Sequence, residues 1–315
     1  MMQLQQLVNH FNSNFAQEHE CDFQPFVLNQ NTVKGIFGIA CIGSEFTSVR
    51  SCADNWQLIA GYAAKTLITN NANRPAKAEK IKRLLDKTLN KPAHVPSVTT
   101  FDRLCRTVNL LNYLELSTCH NFLITEVNPH HILSLSYNHG AYFEEIIVYS
   151  GLKTQNVVIS MTTTGIHPAH YPKLLQGLEN YRECGYQIAL NVGHLFSADK
   201  NIALIKELVP DYVIVSAPNE RYAGLNLNSS VMTALRRLKE LTASLGKQII
   251  LQDVEQPEQD WYAMQIGFDF VQGSYYENLP EVNKNQPITL FSNTDLLMQR
   301  SHKFYSSNFS SKSTR

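Results

Sequence analysis

Residues 248–280 read QIILQDVEQPEQDWYAMQIGFDFVQGSYYENLP. Gln248–Gln252 is an apolar run of strand length, and it ends in Asp253-Val254-Glu255. Pro257 and Glu258 then open a short helical pattern, where a missing N–H and a negative charge are both tolerated. A second apolar run, Phe268–Val271, ends in Gln272-Gly273. Polar groups gather where both strands end, and nothing comparable marks their starts. That asymmetry belongs to the rim of a parallel β/α barrel, where the loops after the strands carry the chemistry.

The same strand–helix alternation runs back through the chain. Gln187–Leu190 and Val209–Ser216 read as strands, with Asn201–Leu208 as the helix between them. The helix Val231–Leu245 carries Leu235, Leu238, Leu241 and Leu245 on one side and stops at Gly246. Further upstream, the strands Asn121–Val127 and Asn156–Met161 alternate with helices Phe101–Leu114, Phe143–Ser150 and Leu174–Cys184, the last closed by Gly185. This repetition predicts one β/α barrel, not two domains. At 315 residues with 43% apolar composition, the chain is long enough to bury its core.

The N-terminal part is less periodic. Leu4, Leu7, Val8 and Phe11 stand at helical spacing, which predicts a cap helix within residues 1–20. Val33–Cys41 reads as a strand, Trp56–Thr69 as a helix, and Lys77–Leu89 as a second helix with a solvated lysine-rich face. A helical insertion is therefore expected around residues 70–100 of a barrel spanning 21–282. After it, residues 283–315 form an extension whose short helix, Thr289–Met298, precedes a Ser-rich tail expected to be disordered from about residue 301.

Composition excludes several classes. Twenty-seven basic groups balance 27 acidic ones, so no general attraction to nucleic acid follows. No apolar run has the roughly 18–20 residues that span a bilayer. The first residues lack the basic and apolar regions of a secretory signal. Six scattered cysteines without a Cys-x-x-Cys pair are expected to be reduced thiols of a cytoplasmic protein. His130-His131 and His167/His170 have no ligand at zinc spacing and read as exposed or capping side chains. Tyr275-Tyr276 reads as packing over the barrel mouth.

The C-terminal unit resembles the end of the EAL family, bacterial barrels that hydrolyse cyclic di-GMP, which reads roughly "viAEGVEteeq…lGcdyvQGyyfgrP" there. Val254-Glu255, Glu258-Gln259, Gly267, Gln272-Gly273 and Pro280 match. The resemblance implies a TIM-like barrel in which one strand runs against the others. Carried along the chain, it places the family's metal-binding and catalytic positions on Phe37, Glu126, Ser160, Asn191, Val192, Ile214, Gln252, Glu255 and Gln272. Of these, Phe37 falls opposite the Glu of "vvGfEALlR", Glu126 opposite the Asn of "vNlSp", and Ser160 opposite the Glu of "lvlEiTE". Asn191 and Val192 replace the aspartate pair, and Ile214 replaces a lysine. Its guanine contacts fall on Gln24, Ile39, Cys41 and Pro280.

The family uses two Mg²⁺ or Mn²⁺ ions to activate water. Such hard cations need several anionic oxygens, and this alignment leaves one carboxylate among the metal positions. The resemblance therefore implies a degenerate member with no metal or other cofactor, acting in cyclic-di-GMP-related signalling through a protein partner. Binding of cyclic di-GMP without hydrolysis is the first alternative. Residual hydrolysis, the one reading that requires Mg²⁺ or Mn²⁺, is the second.

Overall fold

The computed structural model describes residues 4–18, 22–38, 40–53, 56, 58–70, 95–118, 120–134, 141–194, 198–218 and 227–277. Among them, ten strands form one sheet: β1 (Phe26–Asn29), β2 (Thr32–Phe37), β3 (Ala40–Ser51), β4 (Ile59–Asn70), β5 (Phe122–Glu126), β6 (Val157–Thr162), β7 (Gln187–Gly193), β8 (Tyr212–Ser216), β9 (Gln248–Gln252) and β10 (Phe270–Gln272). Strands β4 to β10 pair in parallel, each with the next. β3 closes the ring by pairing antiparallel with both β10 and β4. The result is an eight-stranded barrel with one reversed strand, as the resemblance implies.

The helices are α1 (Leu4–Glu18), α2 (Val95–Tyr113), α3 (Pro129–Ser134), α4 (Ala141–Ser150), α5 (Tyr171–Glu183), α6 (Ala198–Leu208), α7 (Leu227–Ser244) and α8 (Pro257–Ile266). Alternation along the strands sorts side chains into two layers. Val49, Ile124, Val158, Ala189, Tyr212, Ile214 and Ile250 pack inside the barrel with Ala63, Phe122 and Phe270. Their neighbours, such as Leu123, Ile159, Leu190, Val213 and Leu251, face the helices.

The expected helix at Trp56–Thr69 is instead strand β4, twelve residues paired with β3 along its length and with β5 over Gly61–Ala64. Its alanines favour a helix locally, but pairing with β3 and β5 decides the outcome. The expected strand Val33–Cys41 is split between β2 and the start of β3. The expected Lys77–Leu89 helix and everything beyond Glu277 lie outside the described residues.

β3 and β4 run well past the barrel's rim. Beyond it, β2 pairs with the start of β3, and β1 pairs with β2. This four-stranded arm is held by two asparagines. Asn12 of α1 accepts from Phe26 N (2.9 Å) and donates to Phe26 O (2.8 Å). Asn112 of α2 accepts from Val33 N (2.7 Å) and donates to Val33 O (2.9 Å). Each carboxamide thus pairs with a strand's backbone as another strand would. The N-terminal helix accordingly lies against the arm.

Two aspartates set strand entry. Asp211, just before β8, accepts from Ile188 N (2.9 Å) and Lys247 Nζ (2.8 Å). Asp269, just before β10, accepts from Ile249 N and Lys239 Nζ, both at 2.8 Å. The Asp211-Tyr212 pair is therefore structural.

Outside the barrel lies a fully buried charged cluster. Arg106 Nη2 donates to Asp102 Oδ2 (2.5 Å), and Arg106 Nη1 donates to Tyr181 Oη (2.8 Å). The guanidinium stacks 3.8 Å from the Phe143 ring centroid. Asp102 Oδ1 accepts from Asn128 N (2.9 Å), which fixes the turn after β5. His131 lies 3.3 Å from Asp102 Oδ2. This corrects the expectation of an exposed or capping side chain: His131 is buried, while His130 beside it is exposed. His167 does cap, accepting from Ala169 N (3.3 Å).

Two outcomes follow from this packing. Arg106→Ala leaves the Asp102 carboxylate buried without its cation and is expected to cost about 3–5 kcal/mol, read from urea denaturation. A Cβ on Gly273 would stand 2.0 Å from Val254 O, so Gly273→Ala is expected to cost about 3 kcal/mol or more in the same measurement.

Candidate functional site at the barrel mouth

The strand ends show what the barrel presents. Following the inward face one step past the apolar layer gives Lys65 on β4, Glu126 on β5, Ser160 and Thr162 on β6, Asn191 on β7, Ser216 on β8, Gln252 on β9 and Gln272 on β10. These side chains ring the mouth. The structure thus brings together Glu126, Ser160, Asn191, Gln252 and Gln272 from the positions expected in the sequence, with Ile214 inside the barrel below Ser216.

Other expected positions lie elsewhere. Val192 sits at an irregularity in the β7–β8 register and packs, fully buried, in the layer facing the helices. Phe37 and Cys41 are on the arm, away from the ring, with Phe37 stacked near Phe101 at 5.3 Å between centroids. Gln24 is exposed just before β1. Glu255 is exposed in the loop after β9, where its N–H donates to Gln259 Oε1 (2.7 Å). Ile39 and Pro280 lie outside the described residues.

The strand that occupies the place expected for Val33–Cys41 is β4. Its Gly61-Tyr62-Ala63-Ala64 fits "GfEA" with alanine in place of the glutamate, and Ala63 faces into the barrel. Gly61 is required there, because a Cβ would meet the Phe122 ring and carbonyl at 2.5 Å. The apolar pattern of this stretch fits a helical as well as an alternating period, which hides Lys65 and Ala63 in the sequence. The signal that could have found them is the glycine two residues before Ala63.

The ring is knitted by hydrogen bonds, all but one of them between uncharged groups. Gln252 Nε2 donates to Ser216 Oγ (2.9 Å). Asn191 Nδ2 donates to Gln252 Oε1 (3.3 Å), and Asn191 Oδ1 accepts from Gly193 N (2.9 Å). Glu126 Oε1 accepts from Thr162 Oγ1 (2.7 Å). The remaining charge is Lys65, exposed and 3.8 Å from Glu45 on the neighbouring strand. Beneath the rim, Tyr276 is fully buried and donates to Asp260 Oδ1 (2.7 Å), with its phenol pushed up by burial first and Asp260 second.

This donor set does not fit a pair of hard divalent cations. Such ions exchange water only for several anionic oxygens, and the ring offers one carboxylate. Among the described residues, no three His, Cys, Asp or Glu side chains are grouped to hold a metal. Asn191 and Gln252 could supply carbonyl oxygens, but both are engaged with each other and with backbone or hydroxyl groups.

The family model described as the EAL domain matches residues 117–278, just over half of the chain. The match begins after β3 and β4. No curated protein matches. Among solved structures, the chain is similar to the Bacillus subtilis YkuI protein, with an EAL domain, in complex with substrate c-di-GMP and calcium. That likeness has TM-score 0.58 and 19% identity, covering 85% of this chain and 61% of YkuI. The Xanthomonas citri FimX EAL domain, in complex with c-diGMP, gives TM-score 0.57 at 12% identity, covering 86% of this chain and 92% of that one. The Klebsiella pneumoniae BlrP1 manganese/cy-diGMP complex gives 0.57 at 14%, covering 74% and 54%. At these identities the likeness establishes the fold. The chain spans less than two thirds of YkuI and of BlrP1.

The neutral ring has a measurable consequence. Millimolar Mn²⁺ is expected to leave the melting temperature within about 1 °C, because a ligand that does not bind the folded state does not stabilise it. Ala63→Glu/Asn191→Asp/Gln252→Glu adds three carboxylates beside Glu126 and is expected to make the melting temperature rise with Mn²⁺. Differential scanning calorimetry of both proteins reads the contrast.

Proposed function

We infer that this chain, which belongs to the EAL domain family, keeps the family's barrel as a regulatory, protein-binding module in cyclic-di-GMP-related signalling and does not cleave the nucleotide. One observation carries the reading: the mouth holds Ala63, Ser160, Asn191 and Gln252 where two-metal cleavage would require anionic oxygens. Loss of those groups leaves the packed layers untouched, since fold and site separate easily.

The chemistry of the replacements supports this reading. Gln252 is isosteric with glutamate, and both of its partners could serve a carboxylate: Asn191 already donates to Oε1, and the Ser216 hydroxyl can turn to donate. The fold does not demand the amide. Its presence reflects a site with no cation to hold. The reading also assigns the chain to a reducing, cytoplasmic compartment, in keeping with the free thiols of Cys41, Cys52, Cys105 and Cys184. Among the described residues, no helix is long and apolar enough to cross a membrane.

A second reading has one specific support. Lys65 places an ammonium at the rim beside uncharged hydrogen-bonding groups, a combination that suits a phosphodiester held without a metal. YkuI, FimX and BlrP1 were each solved with cyclic di-GMP. Under this reading the domain binds the dinucleotide and leaves it intact.

Calorimetry with cyclic di-GMP, with and without Mn²⁺, separates these cases when paired with chromatography for the linear dinucleotide. The regulatory module gives no heat of binding and no product. Binding without product selects the second reading, with Lys65→Ala expected to weaken it by about tenfold. Manganese-dependent product would overturn both.

A further inference from the structure

We propose that the outer face of α4, with the cleft between α4 and α1, is the docking surface for a partner helix that carries lysine or arginine one turn from a large apolar residue. The proposal rests on the reading of the chain as a protein-binding module and names the surface and the partner's chemistry.

The face is set by the helical period. In α4, Phe143, Ile146 and Ile147 are buried, so Glu144, Glu145, Val148 and Tyr149 point outward. Glu144 and Val148 are four residues apart, as are Glu145 and Tyr149. The outer face therefore has two carboxylates on one turn and two apolar side chains on the next. Val148 is 67% exposed and Tyr149 45%, an unusual pair for adjacent positions on a helix whose inner face already serves the core.

Beside this face lies a cleft of about 380 Å³, with Phe11 and Ile146 in its floor and Asn14, Gln17, Glu18 and Glu145 in its walls. The two helices are locked together there. Asn14 Nδ2 donates to Glu145 Oε1 (3.0 Å), and the His10 ring lies 4.4 Å from the Tyr149 ring. The cleft is thus a formed feature with an apolar floor.

Charge selects the occupant. Arg103 answers Glu18 at 2.7 Å, and His10 lies 3.4 Å from Glu145. Among the described residues, Glu144 makes no ion pair. The surface is acidic on balance, so it favours a cationic partner and disfavours an anionic one. A helix with its apolar residue on Val148 and Tyr149 brings a residue one turn away over the carboxylates, and the aliphatic stem of a lysine there can cover the cleft floor.

The test uses two labelled amphipathic helical peptides, one of Leu and Lys and one of Leu and Glu, in fluorescence anisotropy against the full chain. The Leu/Lys peptide is expected to bind at least about tenfold tighter than the Leu/Glu peptide. Val148→Asp then discriminates between docking and mere attraction. It adds a negative charge, so diffuse attraction of a cationic peptide would strengthen, whereas docking weakens by about tenfold. Glu144→Lys weakens binding as well. Both positions are exposed, and unchanged melting curves would show that the variants fold. Equal binding of the two peptides, or tighter binding to Val148→Asp, overturns the proposal. Neither result touches the calorimetry with cyclic di-GMP, so this inference and the functional reading fail separately.

Discussion

Closure by β3 is the constraint on which the rest depends. A parallel sheet of seven strands has two open edges, each with unpaired backbone groups. β3 satisfies both by running against β10 on one side and β4 on the other. Reversal has a geometric price, since a strand entering from the mouth side must begin outside the barrel. That requirement generates the arm: β3 starts at Ala40, beyond the rim, and β4 returns past it to Asn70. The arm then needs its own cover, supplied by α1 and α2. The arm is thus a consequence of how the ring is closed.

The mouth shows how rim chemistry and barrel packing are separable. The inward layer below the rim is apolar and fully packed, and it includes Ile214 and Ala189 on strands whose ends carry Ser216 and Asn191. Each rim residue lies one alternation above that layer. Substitution there changes hydrogen bonding and charge but not the volume of the core. Gly273 and Gly61 are different, because backbone and ring atoms fill the space where a side chain would go. Packing alone requires them, so their presence says nothing about activity.

Much of this was legible in the sequence from about residue 100 onward. There each strand is short and apolar, each helix has its own period, and glycine marks several stops; Gly185, Gly246 and Gly267 all have positive φ. Glu126, Ser160, Asn191 and Gln252, where the resemblance places family positions, each end such a strand and stand on the mouth ring. The stretch 56–69 reads as a helix for a physical reason. Ala60, Ala63 and Ala64 favour a helix, and only long-range pairing shows that β4 is a strand. That error displaced the signature by one hairpin, onto Phe37 and Cys41. Val192 packs toward the helices at a register irregularity that no sequence pattern announces. His131 was misjudged because its partners, Asp102 and Arg106, come from a different helix.

The asparagine clamp on β1 bears on how the nascent chain emerges. Among the described residues, strand β1 is the outermost strand of the sheet, the place where a growing polypeptide is exposed to unwanted β-pairing with its neighbours. Helix α1 precedes it, so Asn12 leaves the ribosome before Phe26 does. The blocking group is therefore already synthesised when the vulnerable segment appears, and the order of elements along the chain itself limits the time available for misassembly during translation.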